Sequence, residues 1–278
     1  MKSFILAGLC CSLAAAEENK TCKALVMSGG GSNGAWEAGV VWGFVNYGNP
    51  ADFAYDVITG VSAGATNTAA LAVYAPGDEL AAMDFLIDTY MHRTSDQVFK
   101  KRPQGDAIAL FNAISIFDTA PGIQTTIDMF APFDGFKRAW AMSATDMNNG
   151  EKVTMTDEDV TWEDFPYVTL SSASVPGFFP PVAYKGHLLA DGGIIYNTDV
   201  QAAIDRCKKM VGEDETAITI DILQCNSPDE VDVWDGPAKT AYSNYERQKQ
   251  LKSANVGGDN LEATKRAHPN INWRYLLN

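Results

Sequence analysis

Gly60-Val61-Ser62-Ala63-Gly64 is a G-x-S-x-G pentapeptide set directly behind the apolar run Phe53-Ala54-Tyr55-Asp56-Val57-Ile58-Thr59. That order limits the folds open to the chain. The two glycines let the backbone pass through a turn that a Cβ would block. The run that follows, Ala65-Thr66-Asn67-Thr68-Ala69-Ala70-Leu71-Ala72, suits a helix. A strand that enters G-x-S-x-G and leaves as a helix is a nucleophile elbow, which lifts a serine hydroxyl above a sheet. The pentapeptide by itself says little, because Gly and Ser are common; its flanks carry the reading.

A second glycine cluster lies upstream. Residues 23–27 (Lys-Ala-Leu-Val-Met) read as a short buried strand, and Ser28-Gly29-Gly30-Gly31-Ser32-Asn33-Gly34 follows. An apolar stretch of helical length, residues 35–45, comes next. Strand, glycine loop and helix make a backbone anion cradle, because free N–H groups at a helix N-terminus favour negative charge. Gly29, Gly31 and Gly34 match the spacing of a dinucleotide fingerprint, with Asp52 or Asp56 near the distance of a ribose contact. The same N–H groups could instead meet the oxyanion formed when a serine attacks an ester. A tight turn that only lets strand and helix pack closely is the third reading.

Leu188-Leu189-Ala190-Asp191-Gly192-Gly193 puts a carboxylate at the end of an apolar run. Alone, Asp-Gly is most often a turn. Together with Ser62 and the glycine loop it completes a set of nucleophile, anion cradle and base. All three sit at ends of predicted strands, where open α/β sheets place their sites.

G-G-G-x-x-G, G-x-S-x-G and D-G-G in this order resemble the patatin-like phospholipase family. The stretch Leu170-Ser171-Ser172-Ala173-Ser174-Val175-Pro176-Gly177-Phe178-Phe179-Pro180-Pro181, shortly before D-G-G, is similar to that family too, as is Ser143-Ala144-Thr145-Asp146. The resemblance runs from Lys23 to Asp205. It implies a Ser–Asp dyad without a catalytic His, with Ser62 as nucleophile and Asp191 as base. It implies an oxyanion hole from the loop of Gly29, Gly30, Gly31, Ser32 and Gly34, with Gly60, Gly64, Gly192 and Gly193 as motif glycines. The family often has Arg or Lys where this chain has Asn33, so a fixed positive charge beside the hole is missing. The implied substrate is a lipid ester, a phospholipid or related glycerolipid, met at a membrane or micelle surface.

The chain has 278 residues and three histidines, His92, His187 and His268. Ser62, Asp191 and His268 follow the chain order of an α/β-hydrolase triad, but His268 sits in a polar, Pro-ended stretch that reads as a helix end. His187 falls in the turn Tyr184-Lys185-Gly186-His187 and reads as a solvated loop residue, and His92 ends a helix over 78–92. No Cys/His spacing matches a zinc site, so no metal and no cofactor are assigned.

Residues 1–16 read as a signal peptide: Lys2, an apolar run over 3–13, and Ala14-Ala15-Ala16 before Glu17. The expected mature unit is a single domain over 17–278 in the secretory route, secreted or lumenal, with Asn19-Lys20-Thr21 as a glycosylation acceptor. Cys10 and Cys11 leave with the leader. Cys22, Cys207 and Cys225 remain, enough for one disulfide and one free thiol whose pairing the sequence does not reveal. The net charge of −14 argues against nucleic acid and against tight electrostatic binding to anionic membranes. No later apolar run reaches spanning length. The apolar segments 111–117 and 129–133 read as core or active-site cap rather than as membrane-inserting surface.

The expected architecture is a three-layer α/β/α sandwich with a largely parallel central sheet. Strands are expected near 139–143, 153–155 and 217–223, a helix over 199–210, and a partly helical polar tail over 248–278. Two other functional classes fit parts of the pattern. A dinucleotide-binding oxidoreductase leaves Ser62 and Asp191 without a role. A catalytically weak lipid-binding or storage protein on the same fold leaves the retained Ser–Asp pair unexplained.

Overall fold

The computed structural model describes residues 20–225 and 261–278. The expected leader, Cys10, Cys11, Asn19 and residues 248–260 of the tail lie outside the described residues. In chain order, β1 (Cys22–Met27) enters the glycine loop and α1 (Gly34–Tyr47), and β2 (Val57–Gly60) enters the elbow and α2 (Ala63–Ala72). Next come α3 (Glu79–His92), α4 (Ser95–Val98), β3 (Lys100–Lys101), α5 (Asp106–Asn112), β4 (Phe117–Asp118) and α6 (Ala120–Phe130). Then β5 (Ala139–Asp146), β6 (Lys152–Thr156), α7 (Phe165–Ser172), β7 (Val182–Tyr184), β8 (His187–Asp191), α8 (Val200–Val211), β9 (Ile218–Leu223) and β10 (Asn272–Leu277) follow.

The central sheet has the order β10-β9-β1-β2-β5-β8-β7, with β6 also on β5. The pairs from β10 to β5 along this path are parallel; those of β5 with β6 and β8, and of β7 with β8, are antiparallel. Side chains alternate across a strand, and here the alternation builds two cores. Leu25, Met27, Ile58, Trp140 and Met142 join α1, α2 and α3 on one face. Ala24, Val26, Val57 and Ala139 join Val200, Ala203 and Ile204 of α8 on the other. The mostly parallel sheet with helices on both sides is the expected α/β sandwich.

Two expectations change. The strand expected from residue 53 starts at Val57, because Pro50–Phe53 is a 3-10 turn that Asn49 caps by accepting from the Ala51 N–H. The tail carries a helical turn over 261–267, but its end is β10, a strand on the sheet edge with a register shift between Trp273 and Tyr275. Cys22 at the start of β1 and Cys207 on α8 form the disulfide, and Cys225 is free. Among the described residues no helix is long and apolar enough to cross a membrane.

The feature that matters most for the site is on β5. Its residues Ala141 and Met142 pair with both β2 and β6, and its residues Ala144 and Thr145 with both β6 and β8. A strand has two edges, so β2 and β8 must share one edge of β5. They run in opposite directions along it and meet head-on: Met142 faces Gly60, Ala144 faces Asp191, and only Ser143 lies between.

Candidate active site

That head-on meeting brings the end of β8 to the elbow behind β2. Ser62 takes φ 54° and ψ −115°, a backbone region costly for a side-chain-bearing residue and found where structure holds strain at a site. Gly60 and Gly64 make the turn possible. A Cβ on Gly60 would lie 2.1 Å from the Gly64 carbonyl oxygen, and one on Gly64 would lie 2.3 Å from the Met27 oxygen. The Ser62 hydroxyl donates to Asp191 Oδ2 at 2.7 Å, and both residues are buried.

Asp191 is held on every side. Its Oδ1 accepts from the Gly193 N–H at 2.7 Å, its own N–H donates to the Ser174 carbonyl, and its carbonyl accepts from Thr145 Oγ1. Gly192 has no room for a side chain, because a Cβ would lie 2.3 Å from the Ser143 oxygen. Burial pushes the Asp191 carboxyl above its ordinary range, against the hydrogen bonds from Ser62 and Gly193 that favour the charged form. A raised pKa makes the carboxylate a better base.

The glycine loop divides into used and free donors. The Gly29 N–H donates to the Asn197 carbonyl, and the Gly34 N–H to the carbonyls of Gly31 and Ser32. Among the described residues the N–H groups of Gly30 and Gly31 meet no acceptor. Gly29, Gly30 and Gly31 line a cleft of about 330 Å³ with Ser62, Asp191, Gly193, Asn197, Val175, Pro176 and Ile194. Ser32 and Gly34 do not line it, so of the five loop residues expected from sequence only Gly30 and Gly31 both line the cleft and keep an N–H without an acceptor among the described residues.

Three residues to which sequence reasoning gave no role hold this arrangement. Asn197 clamps the loop, donating from Nδ2 to the Gly29 carbonyl while its own carbonyl takes the Gly29 N–H. Ser172 Oγ accepts from the Ser62 N–H and donates to the Ser143 carbonyl, which pins the elbow to β5. Glu37, buried on α1, accepts from the Ser28 N–H and from Asn67 Nδ2 behind the loop, and burial raises its carboxyl to about 8. Asn67 in turn accepts from the Tyr90 hydroxyl. An Asn six residues beyond Asp191 and a Glu three beyond Gly34 were the available signals.

The competing readings lose their geometry. His268 Nδ1 lies 2.7 Å from Glu215 Oε1, just before the start of β9. Parallel β1, β2 and β9 put that point at the opposite end of the sheet from Ser62, about one strand length or roughly 17–20 Å away, so no His268 triad forms. Asp56 precedes β2 and accepts from the Lys23 N–H, and Asp52 lies in the 3-10 turn before it. A ribose-binding acid belongs at the other end, where the glycine loop lies. His187 is not a free loop residue either: it begins β8 with Nδ1 2.8 Å from Asp146 Oδ2. His92 is exposed beside Asp88. Phe130 is core as expected, but Phe111 and Ile114 are exposed, which overturns their reading as core or cap.

A patatin-like phospholipase family model matches residues 25–204. No curated protein matches the sequence. Two solved structures are similar at low identity. VipD from Legionella pneumophila aligns at 15% identity and TM-score 0.42 over 82% of this chain and 52% of its own. The ExoU–SpcU complex from the type III secretion system of Pseudomonas aeruginosa aligns at 14% and 0.34 over 86% and 51%. The chain thus spans about half the length of each. The family model covers well over half of the 278 residues and includes the glycine loop, Ser62 and Asp191; this chain belongs to the patatin-like phospholipase family.

Proposed function

We propose that this protein is a secreted serine acyl hydrolase that cleaves fatty-acyl esters of phospholipids or related glycerolipids through an acyl-Ser62 intermediate. The observation that carries this reading is the 2.7 Å hydrogen bond from Ser62 Oγ to Asp191 Oδ2 at a strained elbow. Asp191 takes the Ser62 proton as Oγ bonds to the acyl carbon, and the carbonyl electron pair moves onto oxygen. The N–H groups of Gly30 and Gly31 donate to that oxyanion, an effect worth roughly 2.7–4 kcal/mol per donor. Collapse expels the alcohol, which leaves with the proton from Asp191. Water then gives a proton to Asp191 and attacks the acyl-enzyme. Release of the fatty acid returns the proton to Ser62.

Asn33 uses its Nδ2 to reach the Cys225 carbonyl, so the position that often carries a cation here braces the loop and recruits no anionic head group. The Cys22–Cys207 bridge supports an oxidising compartment and with it the secretory reading. A fluorophosphonate probe tests the chemistry on the folded chain. Labelling of the parent that disappears in Ser62→Ala and collapses in Asp191→Asn is the expected result. An unlabelled, folded parent that still binds lipid would replace this reading with a lipid-binding or storage role.

A further inference from the structure

Residues 99–117 leave the body of the protein as a short excursion with an apolar tip. Its neck is the antiparallel pair β3–β4, with Lys100 facing Asp118 and Lys101 facing Phe117. Arg102 closes the neck through hydrogen bonds to the Ser115 carbonyl and hydroxyl. Its root is a group of rings, Phe99, Phe117, Phe178 and Phe179, with centroids 4.6 to 6.4 Å apart. Among the described residues nothing covers the tip: Phe111 is 83% exposed, Ile114 65%, Leu110 54% and Ile108 53%. Four large apolar side chains within seven residues, all turned to solvent, form the kind of patch that marks an interaction site.

The patch is joined to the cleft. Ile116 and Phe117 donate their N–H groups to the carbonyls of Gly177 and Phe178. Val175 and Pro176, the residues just before, line the cleft beside Ser62, and Phe178 keeps a half-exposed ring at the root of the excursion. Charge sets this region apart as well. Residues 99–118, the excursion with its whole neck, hold Lys100, Lys101 and Arg102 against Asp106 and Asp118, a net of +1 in a chain of −14. Lys100 and Lys101 are exposed, and Lys101 lies 3.5 Å from Asp106. Residues 165–190, which include the cleft-lining Val175 and Pro176, hold no Asp or Glu.

We infer that this excursion docks the protein on a phospholipid bilayer: Phe111 and Ile114 enter the acyl region, and Lys100 and Lys101 meet headgroup phosphates. The inference deepens the hydrolase reading, since it delivers the cleft mouth to ester-bearing lipid, but the docking itself needs no turnover. Whole-chain charge repulsion is screened beyond about 8 Å at physiological salt, while contacts at the patch are not.

The test uses the full chain carrying Ser62→Ala, so that vesicles are not consumed, and measures co-sedimentation with phosphatidylcholine vesicles with and without phosphatidylglycerol. Phe111→Ser with Ile114→Ser is expected to weaken binding to both vesicle types by at least about tenfold. Lys100→Gln and Lys101→Gln are expected to weaken binding only when phosphatidylglycerol is present, by about fivefold each. The same substitutions in the Ser62-intact chain should leave fluorophosphonate labelling and thermal stability unchanged, because the side chains are exposed. Unchanged vesicle binding by Phe111→Ser/Ile114→Ser, repeated with Phe178→Ser added, overturns the proposal. So does a parent dimer that these substitutions dissociate without altering vesicle binding, which would assign the face to a second copy of the chain. If the Ser62-intact parent is not labelled while vesicle binding follows the pattern above, docking stands and the hydrolase reading falls.

Discussion

Gly30→Ala is the substitution that most directly tests the oxyanion donors. A Cβ on Gly30 would lie 2.0 Å from Cys225 Cβ and 2.6 Å from its Sγ. Carbon atoms in contact sit roughly 3.5–4.0 Å apart, so the two must separate by about 1.5–2 Å. Rotamer changes do not help when both atoms are β-carbons. Cys225 is fixed by its N–H to Ser28 Oγ and by its carbonyl to Asn33 Nδ2, with Gln224 bound to the Leu277 carbonyl behind it. The loop therefore moves, and it carries the free Gly30 and Gly31 N–H groups with it. Oxyanion donors act within about 2.7–3.1 Å, and losing one costs about 10²–10³ in kcat. We expect Gly30→Ala to lower kcat on a soluble p-nitrophenyl ester by that factor, with KM within a few-fold and labelling slowed in parallel. Overpacking should cost about 1–3 kcal/mol of stability, visible as a lower melting temperature. Cys225→Gly in the same chain removes the atoms that collide and should return most of the activity. A folded Gly30→Ala protein with parental kcat refutes the assignment of the donors; a loss that Cys225→Gly does not relieve refutes the collision as its cause.

Three further outcomes follow from the same geometry. Because burial raises the Asp191 pKa and the proposed mechanism uses its carboxylate as base, kcat/KM should fall on the acid side at a pH above the ordinary aspartate range; Asp191→Asn should lose about 10²–10⁴-fold, and an acid limb at the ordinary aspartate pKa would contradict this. Glu37, raised from 4.5 to about 8, keeps a proton in the fold that it releases when unfolded, so its contribution is full below pH 4.5 and is lost as pH rises through 8. Glu37→Gln should flatten the decline of unfolding free energy between those limits, a change of a few kcal/mol by denaturant titration; an unaltered slope counts against it. The Cys22–Cys207 bridge spans a sequence separation of 185, for which loop entropy assigns about 5 kcal/mol. Cys22→Ala/Cys207→Ala should melt roughly 10–20 °C lower by calorimetry, and an unchanged melting temperature would remove the bridge as a stabiliser.

The elements around Ser62 were legible because local rules agree there. Short apolar runs in β1 and β2, glycines at both elbow positions and a helix-forming run leave one arrangement open. The 199–210 helix and the 217–223 strand were readable for the same reason. β10 was not, because Asn272-Trp273-Arg274-Tyr275-Leu276-Leu277 mixes polar and apolar residues on an edge, and its register shift breaks the period of two. Spacing could not say which loop N–H groups the fold consumes; Asn197 takes that of Gly29 from 168 residues away. Phe111 and Ile114 were misread because an apolar run records no partner, and only the fold shows whether one exists. The disulfide had three possible pairings in sequence, and β1 lying against α8 leaves one.

The sharing of one β5 edge by β2 and β8 has a consequence for how this protein tolerates change. Ser62 and Asp191 are 129 residues apart, yet their spacing is gauged by one intervening residue on a third strand. Length added in the 102–116 excursion or the turn between β5 and β6 leaves that gauge untouched. A one-residue slip of β8 along β5 would instead turn Asp191 to the opposite face of the sheet and erase the pair without altering a single side chain. The proposed chemistry thus resides in a pairing register, so hosts for a transplanted site of this kind should be chosen by strand alignment before loop similarity.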